Sequence, residues 1–192
     1  MAFMKSLILA TSSPYKIELM EKLGIPFEAT SSSFEEISTQ RLSVQDQALR
    51  FSEGKALDVL KRYPDATIIG ADQIISLDER IFSKPGTREN AIDQLHALSG
   101  RVHQLTCAIS VLDKTTSFSS STVFEMEMRS LSSKEIEDYI DLDSPLKCCG
   151  SYKIESFGIG LFRRLEGKDY TAIIGLPLTE VRLLLEKIGY IA

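Results

Sequence analysis

Apolar and polar residues alternate along the chain in blocks that predict strands and helices in turn. An apolar run over residues 7–10 leads into the hydroxyl-bearing turn of residues 11–13 and then into a helical pattern. Ser13 fits a helix N-cap and Pro14 a first-turn proline, with Gly24 closing the helix. Such a junction also directs backbone N–H groups and the positive end of the helix dipole at one point, which suits a phosphate. This pattern alone is compatible with both a structural helix cap and a phosphate site.

The middle of the chain continues the alternation. Ser43 is followed by a helical pattern that runs until Pro64 ends it. Residues 67–71 form a compact β-branched run that predicts a buried strand ending at Asp72, and residues 74–79 suggest a hairpin after it. A buried strand in this position is typical of the centre of an α/β sheet.

The next predicted element is a helix that is capped by Thr87 and runs to about residue 100. Two longer strands and two more helices complete the pattern. Residues 102–112 and 118–128 are separated by a polar turn and look antiparallel. A helix follows from Ser132, and an apolar helix runs through Leu185 near the carboxy terminus. The sequence therefore predicts an α/β fold with a mixed sheet.

Length and composition set limits on the class of protein. The chain has 192 residues, 43% of them hydrophobic, and no linker or repeat, which predicts one domain over residues 1–192. Its net charge of -5 argues against a nucleic-acid surface held by bulk charge. We find no apolar run near the length of about 18 residues that spans a bilayer, and no signal peptide, so we expect a cytoplasmic protein without a membrane partner.

The cysteine and histidine pattern does not indicate a soft-metal site. Cys107, Cys148 and Cys149 form no CxxC pair, and neither His96 nor His103 stands at a metal-binding spacing from them. We expect reduced thiols. Any divalent ion would then be held by oxygen ligands, which favours Mg²⁺ or Mn²⁺ accompanying a polyphosphate.

The candidate chemistry centres on one aspartate and three lysines. Asp72 follows a buried strand, where it could accept a proton from an attacking water or bind a divalent cation, or could simply begin a turn. Lys16, Lys55 and Lys84 could balance a triphosphate, although single lysines are more often solvated surface groups.

Six motifs connect the chain to a known family. The segments LILATSSPYKIELMEKLG, GADQ, SKP, ALSGRVH, CCGSYKIESFGIGLF and IIGLPL occur in the order seen in the Maf family, which the chain resembles over nearly its whole length. Maf proteins are nucleoside triphosphate pyrophosphatases related in fold to inosine triphosphate pyrophosphatases. The resemblance implies a mixed, elongated central sheet flanked by helices, metal-assisted hydrolysis of a nucleotide to its monophosphate and pyrophosphate, and a homodimer.

The resemblance also implies roles for individual residues. Asp72 would be the general base or metal-associated acid, and Glu36 a metal or catalytic carboxylate, although a shift of one residue would exchange Glu36 with Glu35. Lys16 stands where the family usually has arginine, which forms a planar fork to phosphate that lysine does not. The residues on the phosphate side would be Thr11, Ser13, Lys16, Lys55 and Lys84.

Three further positions carry the substrate preference within the family. Tyr15, Gln73 and Glu155 resemble the branch that hydrolyses 7-methyl-GTP. A 7-methylated guanine is cationic, so stacking on Tyr15 and pairing with the carboxylate of Glu155 would favour it. Two alternatives remain: a pyrophosphatase of the same family acting on dTTP or UTP, and a nucleotide-binding regulator of cell division without significant catalysis.

Overall fold

The computed structural model describes residues 5–39, 41–78 and 80–191. Over these residues seven strands and six helices are defined. The strands are β1 (Leu7–Ala10), β2 (Glu28–Thr30), β3 (Thr67–Leu77), β4 (Arg80–Phe82), β5 (Val102–Leu112), β6 (Ser117–Met128) and β7 (Phe162–Glu166). The helices are α1 (Pro14–Glu21), α2 (Val44–Leu60), α3 (Arg88–Leu98), α4 (Ser133–Asp143), α5 (Thr171–Ile174) and α6 (Leu178–Lys187), with short 3₁₀ turns over Cys149–Ser151 and Phe157–Leu161.

The strands belong to a mixed sheet, as the sequence predicts. Their order is β2-β1-β3-β5-β6-β7, with β4 paired to β3. Strand β1 is parallel to both β2 and β3, whereas the β3–β4 and β6–β7 pairs are antiparallel. The chain therefore has an α/β fold with a mixed sheet, and this prediction is confirmed.

The described residues divide into two compact units. The first unit contains the residues through Gln73, then Cys107–Thr122 and the residues from Asp169 onward. The second contains Ile74–Thr106 and Val123–Lys168. The prediction of one domain over residues 1–192 stays a prediction.

The core of the first unit follows from the alternation of strand side chains. Leu7 and Leu9 of β1 pack in a cluster with residues of α1 and α6, whereas Ile8 and Ala10 pack in another with Ala56 and neighbouring residues of α2. Successive side chains of a strand point to opposite faces of a sheet, so β1 is covered by helices on both faces. A strand that is buried on both faces has apolar residues at successive positions, which explains the apolar run over residues 7–10.

The helix starts follow local capping chemistry. The Ser43 hydroxyl accepts a hydrogen bond from the backbone N–H of Asp46 at 3.0 Å, and the Thr87 hydroxyl begins α3 in the same way. Ser132 and Glu135 form a reciprocal capping box at the start of α4. These three predicted helix starts are confirmed.

The predicted end of the third strand is wrong. The sequence suggests a strand that stops at Asp72, but β3 continues to Leu77 and places Asp72 in its interior. Ile74 and Ile75 extend the buried run, and β4 pairs with the final residues of β3. A polar side chain does not stop a strand as long as its backbone groups stay in the ladder.

The second unit has its own helical layer. Helices α3 and α4 pack against each other, with Leu95 and Leu98 of α3 and Ile136 and Ile140 of α4 buried. Within the residues that the structure describes, no helix is both long enough and apolar enough to cross a membrane.

Candidate active site

The first site element is the turn between β1 and α1. The Thr11 hydroxyl accepts a hydrogen bond from the backbone N–H of Ser13 at 3.1 Å, which closes the turn. Ser13 occupies the N-cap position, but its side chain makes no capping hydrogen bond, and Pro14 begins the helix. The positive end of the α1 dipole lies at this turn, where an anion is stabilised.

Three charged side chains meet in the first unit. The Lys55 ammonium lies 2.5 Å from Oδ1 of Asp72 and 2.6 Å from Oε1 of Glu36. Their side chains are 16%, 7% and 48% exposed, respectively. Burial on its own would lower the pKa of Lys55, but the two carboxylates outweigh it and raise that pKa. We call these three residues the carboxylate–lysine cluster; Glu36, rather than its neighbour Glu35, supplies the second carboxylate.

A glycine allows this cluster to form. Gly70 of β3 faces α2, where a Cβ atom would overlap the Ser52 carbonyl oxygen and lie 3.0 Å from the Cβ of Ala56. The helix can therefore lie directly against the strand, and Lys55 on α2 reaches Asp72 on β3. A larger side chain at this position would separate the lysine from the carboxylate.

Lys16 is held beside the cluster by a backbone group. Its ammonium donates to the carbonyl oxygen of Ala71 at 3.0 Å, and its stem runs past Gly175, where a Cβ would lie 3.1 Å from Lys16 Cε. Burial, followed by the charge of Lys55, lowers the pKa of Lys16. Two cations thus lie near each other, an arrangement that a polyanionic ligand would stabilise.

The amide of Gln73 has a fixed orientation. Its Nε2 donates to the carbonyl oxygens of Ala172 at 3.0 Å and Ile173 at 2.7 Å. The reversed amide would set Oε1 against two carbonyl oxygens, so the donor group must face α5. Gln73 consequently presents an acceptor oxygen on its other side.

The segment that holds Gln73 is itself organised by a residue that the sequence analysis missed. Asp169 is 6% exposed and accepts hydrogen bonds from the backbone N–H and hydroxyl of both Thr171 and Thr179. Thr171 also accepts from the N–H of Leu178. A threonine two residues after an aspartate is a local signal for such a turn, but Thr179 lies ten residues away and gives none.

Two predicted site residues lie in the second unit. Lys84 is exposed in the loop between β4 and α3, and Glu155 is exposed in a turn before the second 3₁₀ segment. Tyr15, in the first unit, is the second residue of α1 and is half-buried. The carboxylate–lysine cluster, Lys16, Gln73 and the first turn are thus residues of one unit, and Lys84 and Glu155 of the other.

The turn that carries Glu155 is tied to the end of α4 on both sides. The Lys153 N–H donates to the Tyr139 hydroxyl at 2.9 Å, and the Ser156 hydroxyl donates to Oδ1 of Asp143 at 2.8 Å. The Lys153 ammonium also donates to the Asp143 carbonyl oxygen. These contacts restrict the backbone on either side of Glu155.

The buried thiol and imidazole groups are poorly suited to acid–base chemistry. Burial raises the pKa of Cys107 to about 12 and lowers that of His103 to about 4, so both are neutral near pH 7. His103 contacts the Tyr152 hydroxyl at 3.1 Å. The cysteines are free, as expected, and His96 lies exposed on α3.

A cavity elsewhere in the first unit lies apart from the predicted site residues. It has a volume of about 540 Å³ and is lined in part by Phe34, Leu57, Leu60 and Pro64. Its lining also includes Lys61, Lys114 and a single carboxylate, Asp58, but none of the predicted site residues. We therefore place the candidate active site at the carboxylate–lysine cluster.

The oxygen donors of the cluster fit a hard divalent cation. Among the described residues, no group of three or more His, Cys, Asp or Glu side chains is arranged to hold a metal ion. Asp72 and Glu36 nevertheless converge on one point, at Lys55. Magnesium is commonly bound by one or two carboxylates together with substrate phosphates, and the two carboxylates match that mode.

The comparisons with known proteins agree with this chemistry. A family model described as Maf-like protein matches residues 6–188. A Bdellovibrio bacteriovorus protein named 7-methyl-GTP pyrophosphatase is 39% identical over 184 residues, which cover 95% of this chain and 96% of that protein. Proteins of the same name from Hahella chejuensis and Syntrophotalea carbinolica are 38% identical over 187 residues and 36% identical over 181 residues. These matches cover 96% and 93% of this chain and 94% and 92% of the two relatives. The resemblance predicted from the six sequence motifs is confirmed, and the chain belongs to the Maf family.

Proposed function

We propose that the protein is a nucleoside triphosphate pyrophosphatase that hydrolyses 7-methyl-GTP, or a related modified nucleotide, to the monophosphate and pyrophosphate. The observation that carries this proposal is the carboxylate–lysine cluster, in which a buried aspartate and a second carboxylate share one ammonium. The names of the relatives support the same reaction and the same substrate.

The reaction is an in-line displacement at the α-phosphorus. Water attacks that phosphorus, and the bond from it to the oxygen bridging the α- and β-phosphates breaks. Asp72 takes the proton of the attacking water, and pyrophosphate leaves with the electron pair of the broken bond. Asp72 is suited to this role because it lies inside a rigid strand, which fixes its carboxylate.

Cationic and hydroxyl groups bind the polyphosphate. Lys16 and Lys55 balance its negative charge from beside Asp72, and the turn of Thr11 and Ser13 offers hydrogen-bond donors at the start of α1. We assign Lys84 the same role from the second unit. A lysine at position 16 supplies a point charge rather than a planar fork, so it neutralises phosphate without fixing its orientation.

Asp72 and Glu36 would hold Mg²⁺ or Mn²⁺ together with phosphate oxygens. A bound ion of this kind supplies charge stabilisation at the phosphoryl oxygens and the leaving pyrophosphate. The two carboxylates would supply oxygen ligands to such an ion, and phosphate oxygens of the nucleotide would supply others.

Tyr15, Gln73 and Glu155 would select the base. Gln73 offers an acceptor oxygen because both of its amide hydrogens are used by α5. The ring of Tyr15 and the carboxylate of Glu155 each favour a cationic base over a neutral one. A purine bearing N–H donors and a positive charge therefore matches these three side chains better than a pyrimidine does.

Pyrophosphate release from a panel of nucleotides tests the proposal. The panel is 7-methyl-GTP, GTP, dTTP, UTP, CTP and inosine triphosphate, each with Mg²⁺ or Mn²⁺, and Asp72→Ala is the control variant. We expect selective release from 7-methyl-GTP that is lost in the variant. Release from dTTP or UTP instead would keep the reaction and overturn the roles of Tyr15, Gln73 and Glu155. Nucleotide binding without release would favour a regulator.

Three wider properties belong to the same proposal. We expect one functional domain, a cytoplasmic location and assembly as a homodimer. Size-exclusion chromatography with light scattering checks the last of these.

A further inference from the structure

The ammonium of Lys55 contacts both of the carboxylates that are proposed to hold a metal ion. Its Nζ contacts Oδ1 of Asp72 and Oε1 of Glu36 at 2.5 and 2.6 Å, so the two carboxylates converge on this one atom. The same two carboxylates would supply oxygen ligands to Mg²⁺. The ammonium and a metal ion would therefore compete for them.

The charges of the site are already balanced by the chain. Asp72 and Glu36 are formally negative, and Lys55 and Lys16 are formally positive. Lys16 is close enough for the charge of Lys55 to affect its protonation. A free divalent cation would therefore meet a neutralised group of side chains rather than two unpaired carboxylates.

We propose that Lys55 is a resident cation that keeps free divalent metal out of the Glu36–Asp72 site until a polyphosphate arrives. The inference rests on the proposed function, since that function assigns these carboxylates to the metal. Phosphate oxygens offer the Lys55 ammonium a new acceptor. When the ammonium moves to the phosphate, Asp72 and Glu36 are released. The metal then enters as part of the metal–nucleotide complex.

The flexibility of a lysine side chain makes this exchange feasible. Lys55 rises from α2 on a four-carbon stem, and its ammonium is a point charge that accepts partners from many directions. Glu36 is half-exposed and lies on a connection outside helices and strands. Asp72 stays fixed within β3 and provides the anchor for either cation.

Binding of Mn²⁺ to the nucleotide-free protein tests the resident cation. Free Mn²⁺ is followed by its electron paramagnetic resonance signal in titrations of wild type and Lys55→Met. We expect the variant to bind one Mn²⁺ about tenfold more tightly than wild type, because two carboxylates lose their internal counterion. Lys16→Met is the matched comparison: it removes the same charge, but its ammonium contacts a carbonyl oxygen rather than a carboxylate, so its loss should tighten Mn²⁺ binding clearly less than the loss of Lys55 does.

A second variant tests whether Asp72 is the ligand responsible for the increased Mn²⁺ affinity. Lys55→Met combined with Asp72→Asn should lose the gain, since the buried ligand is then neutral. Circular dichroism checks that each variant is folded, and if Lys55→Met does not fold, Lys55→Gln serves the same comparison without the charge. Equal or weaker Mn²⁺ binding in the folded Lys55 variant would overturn the proposal that Lys55 keeps free metal out of the site.

Pyrophosphate release separates this inference from the proposed function. Release from 7-methyl-GTP by wild type, together with an unchanged Mn²⁺ affinity on removal of Lys55, would keep the enzyme and overturn the exclusion of metal. Tighter Mn²⁺ binding by the variant, with no release from any nucleotide by wild type, would support the exclusion and overturn the proposed reaction.

Discussion

Two aspartates of the same unit are almost equally buried and differ in what surrounds them. Asp72 is 5% exposed and Asp169 is 6% exposed. Asp169 accepts hydrogen bonds from four donors on Thr171 and Thr179, two of them backbone amides. Asp72 instead meets the ammonium of a lysine from another element. Burial alone therefore does not separate a structural carboxylate from one that is proposed to take part in the reaction.

The difference lies in whether the partners can be exchanged. The donors around Asp169 belong to Thr171 and Thr179 in the first turns of α5 and α6, so releasing them would disturb the starts of both helices. The partner of Asp72 is a long side chain that can turn toward another anion without unfolding anything. A carboxylate that accepts hydrogen bonds from fixed donors stabilises the fold, whereas a carboxylate paired with a movable cation can become available for a reaction.

The largest effect that follows from this comparison is on turnover. Asp72→Asn keeps the size of the side chain and removes its ability to take a proton, so kcat should fall by about 100- to 10,000-fold. Thermal unfolding should change little because Lys55 keeps Glu36 as a partner. Pyrophosphate release and the unfolding midpoint together check the result. Turnover equal to that of wild type would remove Asp72 from the reaction.

The next effect is on stability. Asp169→Asn turns one acceptor oxygen into an amide donor that faces donors of Thr171 or Thr179, which should lower the free energy of unfolding by about 2–4 kcal/mol. Urea denaturation measures this loss. In the folded fraction kcat should stay within about tenfold of wild type, since Asp169 acts only through the turn. A variant as stable as wild type would mean that the four hydrogen bonds contribute nothing.

A smaller effect is expected at Gln73, which follows Asp72 in β3 and donates hydrogen bonds to α5, the helix that begins beside Asp169. Gln73→Glu replaces the donor to Ala172 and Ile173 with an oxygen that those carbonyls repel. We expect a loss of about 1–3 kcal/mol in stability and a reduced preference for 7-methyl-GTP over dTTP in kcat/KM. Gln73→Met is the control, because it removes the donor without adding a charge. An unchanged preference in both variants would exclude Gln73 from base selection.

The sequence predicted the parts of this molecule that depend on local chemistry. The β1–α1 junction and the caps at Ser43, Thr87 and Ser132 are set by neighbouring residues, and all are found. The end of β3 was misplaced because Asp72 resembles a strand terminus when its backbone partners are unknown. The polarity of a side chain can be read from the sequence, whereas the backbone hydrogen bonding between strands cannot.

The site could be predicted only as a set of candidates. Residue types and the family motifs pointed to Asp72, Glu36 and Lys55, but their meeting at one ammonium depends on α2 lying against β3. The contacts of Gln73 span about a hundred residues of sequence. Asp169 looks like any surface aspartate in a polar segment. Long-range contacts of this kind follow from packing, which no local pattern encodes.

The smallest effect is the dependence of stability on pH. Burial on its own would raise the pKa of Asp169, but hydrogen bonds from Thr171 and Thr179 outweigh it and lower that pKa. A carboxyl whose pKa is lower in the folded state stabilises the fold above its unfolded pKa of about 3.9, and loses this contribution as the pH falls through the folded pKa. The stability difference between wild type and Asp169→Asn should therefore be constant from pH 7 to pH 5 and shrink below pH 4. Urea denaturation of both proteins at each pH measures it. A difference that persisted undiminished through acid unfolding would show that a neutral Asp169 holds the turn equally well, and the distinction between fixed donors and a movable cation would then rest on Asp72 alone.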